Sequence, residues 1–154
     1  MKLSNEIRKF VADQRLGFLA TVCADGTPNL SPKGLTFVLN EQQIVIGEIR
    51  SPGTISNLLQ QPVAELNVVD HLSRKGFRFK GECLVLSEGK VFEDSVNFLR
   101  SMGAKSDINS VILMDVRTLK PLVSPAYDQG LSELDVRSQW KIHYDQLQGD
   151  GIAK

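Results

Sequence analysis

Apolar positions along the chain keep two different periods, and the switches between them mark the elements. Ser4 to Arg15 carries Ile7, Phe10 and Val11 on one helical face and predicts an amphipathic helix. Gly17 to Ala24 (GFLATVCA) reads as a strand. The Asp25-Gly26 pair signals a tight hairpin into a returning strand over Pro28 to Leu39. Asn40-Glu41-Gln42 is the next turn, and Gln43 to Ile49 a third strand. Pro52 to Gln61 predicts a helix stopped by Pro62, and Val63 to Val69 a fourth strand. After a polar loop over His71 to Lys75, Gly76 to Leu86 is a long fifth strand closed by Glu88-Gly89. Asp94 to Met102 has Phe98, Leu99 and Met102 at helical spacing, and Ser110 to Arg117 is a sixth strand.

The final segment, Ser132 to Leu147, opens on a capping signature. Ser132 and Asp135 answer each other across the first turn, and Leu131 with Val136 forms a hydrophobic staple. Val136, Trp140, Tyr144 and Leu147 then make an apolar stripe. That stripe packs on its own sheet or on a second subunit; the pattern leaves both open. Residues 149–154 read as a frayed tail behind a single domain over 1–148.

Hairpin-linked strands with helices inserted singly predict an α+β fold: an antiparallel barrel with flanking helices. The alternating rhythm of a doubly wound sheet is missing, and no G-x-G-x-x-G follows a strand.

Composition narrows the function classes. The chain has 154 residues, enough for one full core, with 42% hydrophobic and 23% charged residues. A formal net charge of zero argues against nucleic acid or an anionic membrane as partner. No apolar run approaches membrane-spanning length and the N-terminus lacks a signal-peptide core, so a cytoplasmic location is expected. Cys23 and Cys83 each lie in a strand-like segment and read as reduced, buried thiols; His71 and His143 have no ligand-like companions. No metal site is expected. No Ser-His-Asp set, H-E-x-x-H or P-loop is present, so a bound cofactor is expected to carry any chemistry.

The candidate site is the junction Glu48-Ile49-Arg50-Ser51-Pro52-Gly53-Thr54. Ser51 is a good N-cap residue and Pro52 suits the first helical position. Gly53 and Thr54 then fall in the first turn, where backbone N–H groups have no helical partner and the helix dipole is positive. A phosphate placed there would meet those donors and the Arg50 guanidinium. An ordinary capped helix explains the same residues. On the second strand Asn29, Ser31 and Lys33 share a face with Leu35, Phe37 and Leu39, which suits a ligand with a charged head and an apolar body. A solvated strand end is the alternative. Phe77-Arg78-Phe79-Lys80 interleaves aromatics with cations, as an amphipathic strand also would.

Several segments follow one another in a set order: the GFLATV strand, Asp25-Gly26-Thr27-Pro28, Ser31-Pro32-Lys33-Gly34, Arg50-Ser51 before a helix with Asn57-Leu58, Pro62-Val63-Ala64, and Gly76 to Gly81. Together they resemble the FMN-binding split barrel of the pyridoxamine 5′-phosphate oxidase-related proteins, over roughly Ser4 to Leu122. Ser124 to Asp128 and the helix with Trp140 are similar to the tail of a bacterial subgroup of unassigned substrate. The resemblance implies a six-stranded antiparallel Greek-key split barrel and a homodimer with FMN at the subunit interface. It also implies an FMN-dependent oxidoreductase acting on a small-molecule substrate. It places Ser31 and Lys33 near the phosphate, Arg50, Ser51, Gly53 and Thr54 around it, and Asn57 close by. Backbone of Gly47, Glu48 and Ile49 would run beside the flavin ring, with Arg78 on a neighbouring strand; no catalytic residue is assigned. Two departures stand out. Gly53 replaces a lysine common in relatives, and the C-terminal region lacks the arginine-rich motif of true pyridoxamine phosphate oxidases. A non-catalytic FMN-binding or electron-transfer protein, and a split barrel holding haem or a deazaflavin, are the alternative readings.

Overall fold

The computed structural model describes residues 2–150. Seven strands form one wholly antiparallel sheet: β1 (Gly17–Val22), β2 (Pro28–Lys33), β3 (Thr36–Val38), β4 (Gln43–Glu48), β5 (Val63–Asp70), β6 (Lys75–Leu86) and β7 (Ser110–Val123). Four helices accompany them: α1 (Asn5–Gln14), α2 (Pro52–Gln60), α3 (Lys90–Ser101) and α4 (Glu133–Asp150). The sheet order is β2-β1-β5-β6-β7-β4-β3.

That order forces the shape. β2 and β3 are the two edges of the sheet, yet only Gly34 and Leu35 separate them in the chain. Laid flat at about 4.8 Å per strand, the edges of seven strands would stand about 29 Å apart. A two-residue link reaches only about 10 Å. The sheet therefore curls until its edges meet, giving a barrel with one seam not closed by a ladder. Beside that seam the β3–β4 pairing runs one residue past β3, with the Gly47 N–H donating to the Leu35 carbonyl at 2.9 Å.

Seven strands replace the six expected because the strand predicted over Pro28 to Leu39 breaks at Gly34-Leu35. The break also ends the shared face expected for Lys33 and Phe37. Asn29, Ser31 and Lys33 turn inward on β2, while Leu30 and Pro32 face out.

Two cores explain the longest apolar runs. Leu19, Ile44, Ile46, Leu66, Val68, Phe79, Ile112 and Met114 fill the barrel, with Ile7 and Val11 of α1 plugging one end. Phe37, Val45, Val111 and Leu113 point the other way and are covered by Leu99 of α3. β4 and β7 are thus buried on both faces, which is why Ile44-Val45-Ile46 and Val111 to Met114 show no polar alternation. Cys83 is buried and its thiol is pushed up to about 12 by burial; Cys23, expected to be buried, is only partly so.

α4 is fastened to the β5–β6 turn. Arg137 pairs with Asp70 at 2.6 Å and with Glu133 at 2.9 Å, Lys75 pairs with Glu133 at 2.8 Å, and the Arg74 guanidinium stacks 3.5 Å from the Trp140 ring centre. The apolar stripe of the last helix therefore meets its own chain at Val136, Trp140 and Tyr144, leaving Leu147 exposed. The reciprocal Ser132–Asp135 cap is present, with N–H donations of 2.9 and 3.2 Å. The helix runs on through Gly149 and Asp150, which the sequence assigns to a tail; residues 151–154 of that tail lie outside the described residues. Among the described residues, no helix is long and apolar enough to cross a membrane.

Candidate functional site

The seam of the barrel opens into a cleft of about 850 Å³, within the range of small-ligand sites. One wall is the end of β2 and its link to β3: Ser31, Pro32, Lys33, Gly34 and Leu35. The other is the end of β4 and its run into α2: Gly47, Glu48, Ile49, Arg50 and Ser51, with Ser106 at the rim.

Lys33 is the cation inside. It is only 4% exposed, and its Nζ donates to Ser31 Oγ at 2.9 Å and Ser51 Oγ at 2.5 Å. Burial holds its ammonium below the ordinary lysine value of 10.5, and the charge of Glu48 opposes that shift. The alternative reading of a solvated lysine does not hold. Arg50 is exposed and has no ion-pair partner among the described residues, so its five donors are free for a ligand.

Ser51 does not cap α2 as expected; its side chain makes no capping bond. Its hydroxyl is taken instead by Lys33 and by Glu48, to which it donates at 3.2 Å. Glu48 is buried, and the same Oε1 also accepts the Ser51 N–H, while Oε2 accepts from Ser110 Oγ at 3.2 Å. The junction is pinned from outside by Asn109, whose N–H donates to the Glu48 carbonyl at 2.9 Å and whose side chain donates to the Ile49 carbonyl at 2.5 Å.

Of the residues picked from the sequence, the cleft gathers Ser31, Lys33, Gly47, Glu48, Ile49, Arg50 and Ser51. Four others fall elsewhere. Gly53 is exposed in the first turn of α2, with open space where a Cβ would stand. Thr54 is 2% exposed, and its hydroxyl has no hydrogen-bond partner. Asn57 is buried against β1 and donates to Thr21 Oγ1 at 3.0 Å and Cys23 Sγ at 3.5 Å, so it ties helix to sheet. Arg78 lies on the outer face of β6, paired with Glu65 at 3.1 Å. Sequence reasoning valued Glu48 for its backbone only and passed over Ser110. The signal for both was a polar residue ending an apolar strand, Glu48 on β4 opposite Ser110 on β7.

The residues fit a phosphate-bearing flavin. Two cations of different exposure line the cleft, and the first turn of α2 starts at its edge. The backbone of Gly47 to Ile49 forms one side of the cleft; a Cβ on Gly47 would stand 3.1 Å from both Leu35 Cδ1 and Leu99 Cδ1, so the residue is kept small between the β2–β3 link and α3. His71 and His143 lie away from it, beside Tyr144 on α4. Among the described residues no cluster of His, Cys, Asp and Glu is placed to hold a metal ion.

Comparison with known proteins bears on the family and the fold. A family model described as pyridoxamine 5′-phosphate oxidase matches residues 3–119. HupZ of Group A Streptococcus is 25% identical at a TM-score of 0.71, over 79% of this chain and 94% of that one. An FMN-binding protein from Syntrophomonas wolfei is 15% identical at a TM-score of 0.64, over 76% and 84% of the two chains. A pyridoxamine 5′-phosphate oxidase-related, FMN-binding protein from Nostoc punctiforme is 18% identical at 0.55, over 72% and 74%. The last two likenesses are of fold alone. A search of curated proteins found no match.

Proposed function

The chain belongs to the pyridoxamine 5′-phosphate oxidase family, and from that premise we propose that it binds FMN in the seam cleft and is an FMN-dependent oxidoreductase. One observation carries this reading: a buried lysine, an exposed unpaired arginine and the start of a helix converge on one cleft of flavin-sized volume. Solved structures of the same fold include FMN-binding proteins, which supports the cofactor class.

Each residue has a task in this reading. Lys33 and Arg50 hold the phosphate, Lys33 from a fixed buried position and Arg50 as a mobile clamp from solvent. Ser31 and Ser51 fix the Lys33 ammonium so that it is preorganised. The Gly47 to Ile49 backbone lies beside the ring. A bound flavin would supply hydride or single-electron transfer; the chain supplies position and electrostatics.

The substrate differs from pyridoxamine 5′-phosphate. That molecule needs a second anion site, and the basic residues of the C-terminal helix are already neutralised. Arg137 serves Asp70 and Glu133, and Lys141 serves Asp145 at 2.5 Å. We also propose that the working form is a homodimer. Leu30 on the β2 edge, Leu59 on α2 and Leu84 on β6 are each more than half exposed on one chain.

A second reading is a flavin carrier or electron-transfer protein. It is favoured by the cleft lining, whose ionisable side chains are Lys33, Glu48 and Arg50, with no His, Cys or Tyr to move a proton. Loading with FMN and mixing with NADH or NADPH in a stopped-flow spectrometer separates the two. Flavin bleaching within seconds is the expected result for the oxidoreductase. Bound flavin that reduces only with dithionite would favour the carrier.

A further inference from the structure

The anion site contains an anion of its own. Glu48 reaches into the cleft at the point where the backbone turns from β4 towards α2. Its carboxylate takes the Ser51 N–H, the Ser51 hydroxyl and the Ser110 hydroxyl. At 5% exposure, held by donors on two elements, it is a fixed part of the wall. Lys33, the buried cation, spends two of its three N–H bonds on Ser31 and Ser51.

The cleft is lined by two cations, Lys33 and Arg50, and one carboxylate, Glu48. A phosphate monoester carries about −1.5 to −2 near neutral pH. It meets a net field of one positive charge and finds the best-placed junction donors already used. Its first negative charge is compensated; its second is opposed by the buried Glu48 carboxylate.

We propose that Glu48 sets the ligand selectivity of this site by limiting its affinity for doubly charged phosphate, so that the cleft favours a singly charged group. The inference rests on the flavin reading for its natural ligand, but the claim about anions stands on the cleft itself. α2 itself, Pro52 to Gln60, carries no cation that would offset Glu48.

The test compares wild type with Glu48→Gln, which keeps the size and one acceptor but removes the charge. Dissociation constants for FMN and riboflavin are read from flavin fluorescence, and inorganic phosphate binding from ³¹P NMR. The expected result is that Glu48→Gln tightens FMN about tenfold or more and leaves riboflavin within about threefold, because only FMN carries the opposed charge. A folded Glu48→Gln protein, with a urea midpoint close to wild type, that binds FMN no more tightly would overturn the proposal. If neither protein binds either flavin, the flavin reading fails, and the phosphate arm decides: tighter phosphate binding in Glu48→Gln upholds the role of Glu48, and unchanged binding removes it. A second measurement needs no variant. Wild type should bind the monoanionic methyl ester of FMN at least as tightly as FMN itself; a preference for FMN above about threefold would overturn the proposal.

Discussion

Lys33 shows what a single residue can reveal and conceal. In the sequence it is a lysine at the end of a polar strand face, and the alternation around it gives no hint of burial. In the fold it is 4% exposed because the chain must cross the seam at Gly34-Leu35 immediately after it. Burial lowers its affinity for a proton relative to the unfolded chain, whose lysine keeps the ordinary value of 10.5. Between the lowered value and 10.5 the unfolded state binds more protons, so this residue makes stability rise with pH through that window. Wild type should therefore gain urea-midpoint stability relative to Lys33→Met as pH climbs from neutrality towards 10.5. A difference that stays constant with pH would show that the Lys33 charge carries no burial cost. Arg50 is the opposite case: exposed, unpaired and free to close on a ligand. A charge-assisted bond contributes about 1.5–3 kcal/mol, so Arg50→Ala should weaken FMN about tenfold or more while riboflavin changes little. Equal weakening of both ligands, measured by fluorescence titration, would place Arg50 against the ring and not the phosphate. The cation pair was thus legible in the sequence, whereas Glu48 was legible only as backbone beside the ligand and not for its carboxylate. Its carboxylate matters through Ser110, which lies 62 residues away in sequence and meets it only across the β4–β7 ladder.

At the scale of elements, period-2 patterning located the β-segments but not the place where one of them breaks. Leu35, Phe37 and Leu39 continue the alternation of the preceding residues, so only Pro32 and Gly34 hinted that β2 and β3 are separate. The length of β7 was missed for a similar reason. Beyond Arg117 its residues are largely exposed on an outer arm paired with the start of β6, where Leu119 packs on the core but its neighbours face water. Ser51 looked like a cap, but Lys33 and Glu48 compete for its hydroxyl and win it. Gly81 marks the bulge at Lys80/Gly81, where the β6–β7 register slips. A Cβ there would fall on the Asp115 carbonyl, which is backbone and cannot rotate away. Gly81→Ala should cost about 1–3 kcal/mol or more by urea denaturation. A loss below about 0.5 kcal/mol would mean that the two strands part more easily than their register suggests.

For the whole molecule, the decisive fact is that the two sheet edges are joined by two residues and so must meet. The cleft is a product of that closure, which is why its two walls come from segments about 15 residues apart. The remaining apolar surface points to a second copy of the chain. Leu30, at 65% exposure, extends from the outward face of an edge strand that would otherwise stand open to water. Sedimentation at micromolar concentration should therefore show a dimer, and a monomer that still binds flavin would assign the whole site to one chain. The most direct test of the account is a calorimetric titration of the protein with FMN and, separately, with riboflavin. The expected result is saturable binding of FMN, about one per chain and at least about tenfold tighter than riboflavin, as a phosphate held by Lys33 and Arg50 requires. Equal affinity for the two, or no binding of FMN, would contradict the assignment of the seam cleft as a flavin phosphate site.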